Sequence, residues 1–265
     1  LAKGRSALFA STGLGKTFMQ IEWSNQVHKH TGDNVLILAP LAVSQQTVRE
    51  AKKLGVIVNL CRTQTDVKHG INITNYEMLQ HFNPAKFIGV VIDESSILKS
   101  FTGKLRQQIT DVFINTPFKL SATATPAPND YMELGSQAEF LGAMKRNEML
   151  AMFFTHDGSN TSQWRLKGHA QERFWEWVAS WAAVVTKPSD LGYEDGAFNL
   201  PPLIIHEALI KTGKPLDGSL FVAEARTLQE QRAAARQTLQ ARVNKCAEIV
   251  NGSNKPHLVW CNLNA

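Results

Sequence analysis

Hydrophobic residues fall into short continuous runs separated by stretches with helical spacing. Residues 7–10, 35–39, 56–60, 70–74, 87–94 and 118–123 are predicted strands, most of them rich in branched side chains. Helical spacing follows from Phe18 onward, over 43–54 and over 104–113. Strands that are apolar throughout, rather than alternating, are buried on both faces. Repeated strand–helix units of this kind predict an α/β fold with a parallel sheet covered on both sides. The pattern closes this domain near residue 140.

Residues 141–202 have a different texture, with four of the six tryptophans (Trp164, Trp175, Trp177, Trp181). Residues 173–185 are helical by period, with Phe174, Trp177, Val178, Trp181, Ala182 and Val185 on one face. This reads as a packing helix; stacking of tryptophan on bases is the alternative. After Pro201-Pro202, residues 203–209 read as a strand and 217–250 as a long helical region with a break. That region carries Arg226, Arg232, Arg236 and Arg242. Arg232 and Arg236 lie one turn apart, on a face read as solvated, with phosphate contact as the alternative. Residues 257–263 form a last predicted strand. The expected division is 1–140, then 141–202 as a Trp-rich helical insertion, then 203–265 as the beginning of a second α/β lobe.

The length of 265 residues suits about two domains, and 43% hydrophobic content suffices for full cores. Cys61, Cys246 and Cys261 show no paired spacing, which argues against a disulfide framework or a zinc site and fits a reducing compartment. There is no apolar run near 18 residues and no signal peptide, so the chain reads as soluble, cytoplasmic and free of the membrane. A net charge of +5 and a pI near 9.1 are compatible with a polyanionic partner without requiring one. The chain starts at Leu1 rather than Met and stops at Ala265 directly after an apolar run, and it is read as a piece of a longer protein or a truncated gene product.

Between the first strand and its helix stands Gly13-Leu14-Gly15-Lys16-Thr17. A triphosphate needs several backbone N–H donors turned toward it, and glycine lets the chain turn and approach that closely. The following helix adds unpaired N–H groups and the positive end of its dipole. Lys16 suits the β- and γ-phosphates, and the Thr17 hydroxyl suits Mg²⁺. The consensus for such a loop has a first glycine where Ala10 stands here.

Asp93 and Glu94 end an apolar strand 76 residues after Thr17. An aspartate there suits Mg²⁺, and the adjacent glutamate suits a general base for the water that attacks the γ-phosphate. Ser121-Ala122-Thr123 ends the next strand. Its hydroxyls either bond Asp93 or Glu94 and transmit nucleotide state, or mark a simple strand-to-turn transition.

In this order, Gly13 to Thr17, Asp93-Glu94 and Ser121 to Thr123 resemble motifs I, II and III of superfamily 2 helicases and translocases. Further stretches resemble the branch of the SWI/SNF remodelling ATPases and phage helicases of this type. They are Leu38-Ala-Pro-Leu41, residues 73–77, residues 124–129 with Glu133-Leu134 and Phe140-Leu141, Thr186-Lys187 through Pro202, and residues 259–261. The resemblance implies a RecA-like P-loop NTPase domain followed by the start of a second RecA-like lobe. It implies ATP and Mg²⁺ as cofactors, and a nucleic-acid partner, double-stranded DNA in that branch. It places nucleic-acid contacts near Pro40 and near Thr74 and Asn75, with Ser121, Ala122 and Thr123 as the coupling segment.

The departures are specific. Ser95 and Ser96 follow Asp93-Glu94 where that branch has Ala-His, Ser11 and Thr12 replace acidic residues, and Ala124 replaces a glycine. The family's arginine finger is expected beyond Ala265 and its adenine-reading glutamine before Leu1. An arginine finger is worth about 10³–10⁵ in rate, so the chain alone is expected to bind ATP·Mg²⁺ and hydrolyse it very slowly. Two other classes stay open: a P-loop ATPase acting on protein assemblies, and a nucleotide-gated nucleic-acid-binding module without efficient hydrolysis.

Overall fold

The apolar runs of the first half all become strands in the computed structural model, which describes residues 3–99, 103–157, 160–199, 201–210 and 227–261. They are β1 (Arg5–Ala10), β2 (Val35–Ala39), β3 (Val58–Leu60), β4 (Ile71–Asn75), β5 (Gly89–Asp93) and β6 (Phe118–Thr123). Between them run α1 (Lys16–Thr31), α2 (Leu41–Lys53) and α3 (Lys104–Val112). All five residues of β2, β4 and β5 are buried, as strands covered on both faces require. The chain continues through α4 (Leu134–Leu141), α5 (Arg146–Phe153), an antiparallel hairpin of β7 (Phe154–Asp157) and β8 (Asn160–Leu166), α6 (Gln171–Trp181) and β9 (Ala182–Val185).

The main sheet has seven strands in the order β3-β4-β2-β5-β6-β1-β9, all parallel. One core, with Ile37, Ile73, Val91 and Leu120 from the sheet, packs against Ile21 of α1 and Ala51 of α2. The other, with Leu36, Leu38, Val90 and Ile92, packs against Ile109, Phe140, Phe153, Phe174 and Trp181.

The seventh strand comes from beyond residue 140, where the sequence pattern closes the domain. The helix expected over 173–185 ends at Trp181 instead, and Ala182 to Val185 pair with Ala7 to Ala10 of β1. A run of Ala-Ala-Val-Val fits a strand better than a helix end, and the pairing supplies its backbone partners. Phe174, Val178 and Trp181 are buried, so the helix packs as read; Trp175 is half exposed.

Residues 201–265 form a separate unit. Its described part holds α7 (Leu228–Gln237) and α8 (Leu239–Asn251), with the expected break at Thr238. Arg232 and Arg236 are exposed on α7. The strands expected over 203–209 and 257–261 do not form among the described residues. Leu203, Ile204, Ile205 and Leu209 stay exposed, as do Leu258 and Trp260. An apolar run becomes a strand only when another strand satisfies its backbone. Residues 217–226, with Arg226, and residues 262 and 263 lie outside the described residues, as does Leu200.

Candidate active site

The site lies where β1, β6 and β5 end side by side. The strand with Ser121, Ala122 and Thr123 runs between the strand leading into the glycine loop and the strand ending in Asp93. Phe9 pairs with Thr123, and Asp93 pairs with Ala122, so the three C-terminal ends are level.

Gly13 and Gly15 take φ of 87° and 75°, a region that costs an L side chain energy and glycine nothing. Gly15 caps α1, with no side chain on the cap and no acidic residue in the first turn. The first N–H groups of α1 thus have no side-chain acceptor, and His28, Lys29 and His30 complement the opposite dipole end. Lys16 Nζ donates to the carbonyls of Ala10 (2.9 Å) and Ser11 (3.3 Å), holding it over its own loop. Leu14, Gly15, Lys16 and Thr17 are half-buried. The loop is braced from the far side by the Ser11 amide, which donates to Val185 O of β9 at 2.9 Å.

Asp93 is buried. Its Oδ1 accepts from Gln20 Nε2 of α1 at 2.7 Å and from the Glu94 amide at 3.1 Å. Burial raises its carboxyl above the usual range, and the Gln20 bond works in the opposite direction. The Tyr76 hydroxyl donates to the Asp93 carbonyl, and burial pushes that phenol well up. Glu94 has φ 53°, unique for a non-glycine residue among those described. Its Oε2 accepts from Thr123 Oγ1 at 3.2 Å, and Thr123 Oγ1 accepts in turn from the Thr125 amide at 3.1 Å.

Ser121 Oγ donates to Gln137 Oε1 of α4, not to Asp93 or Glu94. The two expected couplings therefore separate: Thr123 reaches Glu94 directly, whereas Ser121 turns to the helix behind. Ala122 is buried and lies opposite Asp93. Pro40, Thr74 and Asn75 stand at the same sheet edge, on the far side of β5. Thr74 Oγ1 and Asn75 Oδ1 are buried without hydrogen-bond partners, and Asn75 lines a cleft of about 280 Å³ with Leu41, Leu60, Arg62 and Met78.

Sequence reasoning missed Gln20, Tyr76 and Gln137. A signal existed for Gln20, a polar residue one turn after Lys16 on the buried face that carries Ile21, Ser24 and Val27. The donor set fits Mg²⁺, a hard cation that takes oxygen ligands. Thr17 offers a hydroxyl, and both hydrogen bonds to Asp93 fall on Oδ1, leaving Oδ2 without one.

No protein-family model and no curated protein matches the chain. Among solved structures, it is similar to the Sulfolobus solfataricus SWI2/SNF2 ATPase core in complex with dsDNA, with a TM-score of 0.58 and 20% identity. That match covers 72% of this chain and 42% of the archaeal one, so this chain spans less than half its length. The UvsW helicase of bacteriophage T4 matches with a TM-score of 0.44 and 14% identity, over 52% of each chain. The Pyrococcus furiosus Hef helicase domain matches with a TM-score of 0.44 and 16% identity, over 53% of this chain and 34% of that one. The archaeal likeness shows the fold alone: a parallel α/β sheet with flanking helices, as in that ATPase core. No helix among the described residues is long and apolar enough to cross a membrane.

Proposed function

We propose that the chain is the ATP-binding core of a nucleic-acid-dependent ATPase of the helicase or translocase type. The observation that carries this reading is the level alignment of three strand ends. It brings Lys16 and Thr17, the Asp93-Glu94 pair and the Thr123 hydroxyl to one edge.

In this reading the amides of Gly13 to Thr17 and the Lys16 ammonium cradle the phosphates. Thr17 and Asp93 hold Mg²⁺, which when bound supplies positive charge against the phosphate oxygens. Glu94 takes the proton of the attacking water, and the Thr123 hydroxyl orients its carboxylate. Gln20 fixes Asp93 from the side of α1. The turn at Pro40 and the end of β4 at Thr74-Asn75 face nucleic acid, through backbone groups in the main, since the Thr74 and Asn75 side-chain oxygens are buried. Double-stranded DNA is the proposed partner, supported by the DNA-bound state of the archaeal neighbour. Such contacts go mostly to phosphates and weaken with salt.

The test is equilibrium binding of ATP·Mg²⁺ and single-turnover hydrolysis, with and without double-stranded DNA, for the chain and for Lys16→Ala. Binding that Lys16→Ala weakens at least tenfold, and hydrolysis that DNA accelerates, support the reading. A chain that binds no ATP refutes it. Binding without any hydrolysis in either condition leaves the nucleotide-gated module instead.

A further inference from the structure

One carboxamide links both halves of the hydrolytic edge from behind. Gln137 sits on α4 and is 1% exposed. Its Oε1 accepts from Ser121 Oγ of β6, and its Nε2 donates to the Ser95 carbonyl at 2.8 Å. Ser121 lies two residues before Thr123, whose hydroxyl holds Glu94; Ser95 immediately follows Glu94. Gln137 thus spans the strand that orients the Glu94 carboxylate and the turn that carries its backbone.

No side chain of that turn makes the link itself. Ser95 Oγ is buried with no partner, and Ser96 Oγ donates only back to the Glu94 carbonyl at 3.5 Å. The helix behind is firmly seated. Lys119 Nζ donates to the Phe140 carbonyl at 2.9 Å, Arg106 Nη1 pairs with Glu139 at 2.7 Å, and Asn129 Nδ2 donates to Glu133 at 2.8 Å. A buried amide with both ends engaged is costly to misplace, so a shift of β6 at Ser121 must either carry the Ser95 turn with it or break a buried bond.

We propose that Gln137 is a positioning residue that couples the Ser121–Thr123 strand to the placement of Glu94. It performs the linkage that the serines at 95 and 96 do not. The inference rests on the ATPase reading above. A displacement of β6 by a bound partner is then transmitted through the carboxamide to the turn at Glu94, and the base moves with the strand.

The experiment uses Gln137→Leu, which keeps the size and removes both bonds, together with Ser121→Ala and the double variant. ATP·Mg²⁺ affinity and single-turnover hydrolysis are measured with and without double-stranded DNA. The expected result for Gln137→Leu is affinity within about twofold, hydrolysis slowed about tenfold to a hundredfold, and stimulation by DNA lost. Ser121→Ala shows the same split, and the double variant is no slower than Gln137→Leu alone. A purely structural glutamine would instead lower Tm and leave hydrolysis per folded molecule and its DNA response intact, which overturns the proposal. If Gln137→Leu does not fold, Ser121→Ala with wild-type rate and DNA response overturns it as well. A wild-type chain that hydrolyses nothing overturns the ATPase reading and this role with it, and is told apart because no variant is needed to see it.

Discussion

Thr123 donates its hydroxyl to the Glu94 carboxylate across 3.2 Å, from the end of one strand to the residue just past the end of its neighbour. The bond fixes where the carboxylate points. On the ATPase reading proposed above, Glu94→Gln should keep ATP·Mg²⁺ binding and reduce hydrolysis by about 10²–10⁴, the usual worth of a general base. Thr123→Val should keep the base but lose its orientation, at a smaller cost of about tenfold. Single-turnover kinetics at saturating ATP separate the two. Equal losses would show that Glu94 serves only as part of a hydrogen-bonded frame.

Glu94 also carries backbone strain. Its φ of 53° is a region where a β-carbon costs roughly 1–2 kcal/mol and glycine pays nothing. Glu94→Gly is expected to be more stable than Glu94→Ala by about 1 kcal/mol, although both lack the carboxylate. Chemical denaturation of the two variants measures the difference directly, and an alanine variant as stable as the glycine one would show that the turn relaxes without cost.

Gly135 of α4 is required by close packing rather than by its backbone. A β-carbon there would lie 2.8 Å from Met149 Cε and 2.9 Å from Arg146 Cγ, and Met149 is fully buried. Gly135→Ala should destabilise the fold by about 1–3 kcal/mol through overpacking. ATP affinity per folded molecule should stay unchanged, as titration of the folded fraction would show.

Lys119 predicts an alkaline gain in stability. It is 1% exposed at the start of β6, and burial, with Arg5 nearby, pushes its ammonium down to about 8. Unfolded, the group titrates near 10.4. Between those values the unfolded chain holds a proton that the folded chain has released, so this contribution to stability rises with pH across that window. Below about pH 8 both states are charged and the burial penalty is felt in full. The unfolding free energy of wild type relative to Lys119→Met should increase from pH 8 to pH 10; a difference that stays flat would refute it.

Most of the sheet was legible because its strands are apolar on both faces, and only a covered parallel sheet asks for that. Residues 182–185 misled because Ala182 and Val185 continue the helical stripe of Phe174, Val178 and Trp181. Only the pairing with β1, far away in sequence, decides for a strand. Residues 203–209 misled in the opposite sense, since an apolar run says nothing about whether a neighbour exists. At the candidate site, Lys16, Thr17, Asp93 and Glu94 stood out because the chemistry proposed for them asks for both residue type and spacing. Gln20 and Gln137 did not, because a buried glutamine is told from a solvated one only by what surrounds it in space.

The Ser11 amide bonds the Val185 carbonyl, and β1 lies between β6 and β9. On the ribosome, β1 emerges before the other strands of this sheet and is the last of them to gain both its neighbours. At about 5–20 residues per second, roughly ten to thirty seconds of synthesis separate the two ends of that bond. Through that interval the glycine loop stands at an open sheet edge, so its shape is completed only when the tryptophan-rich segment has been made.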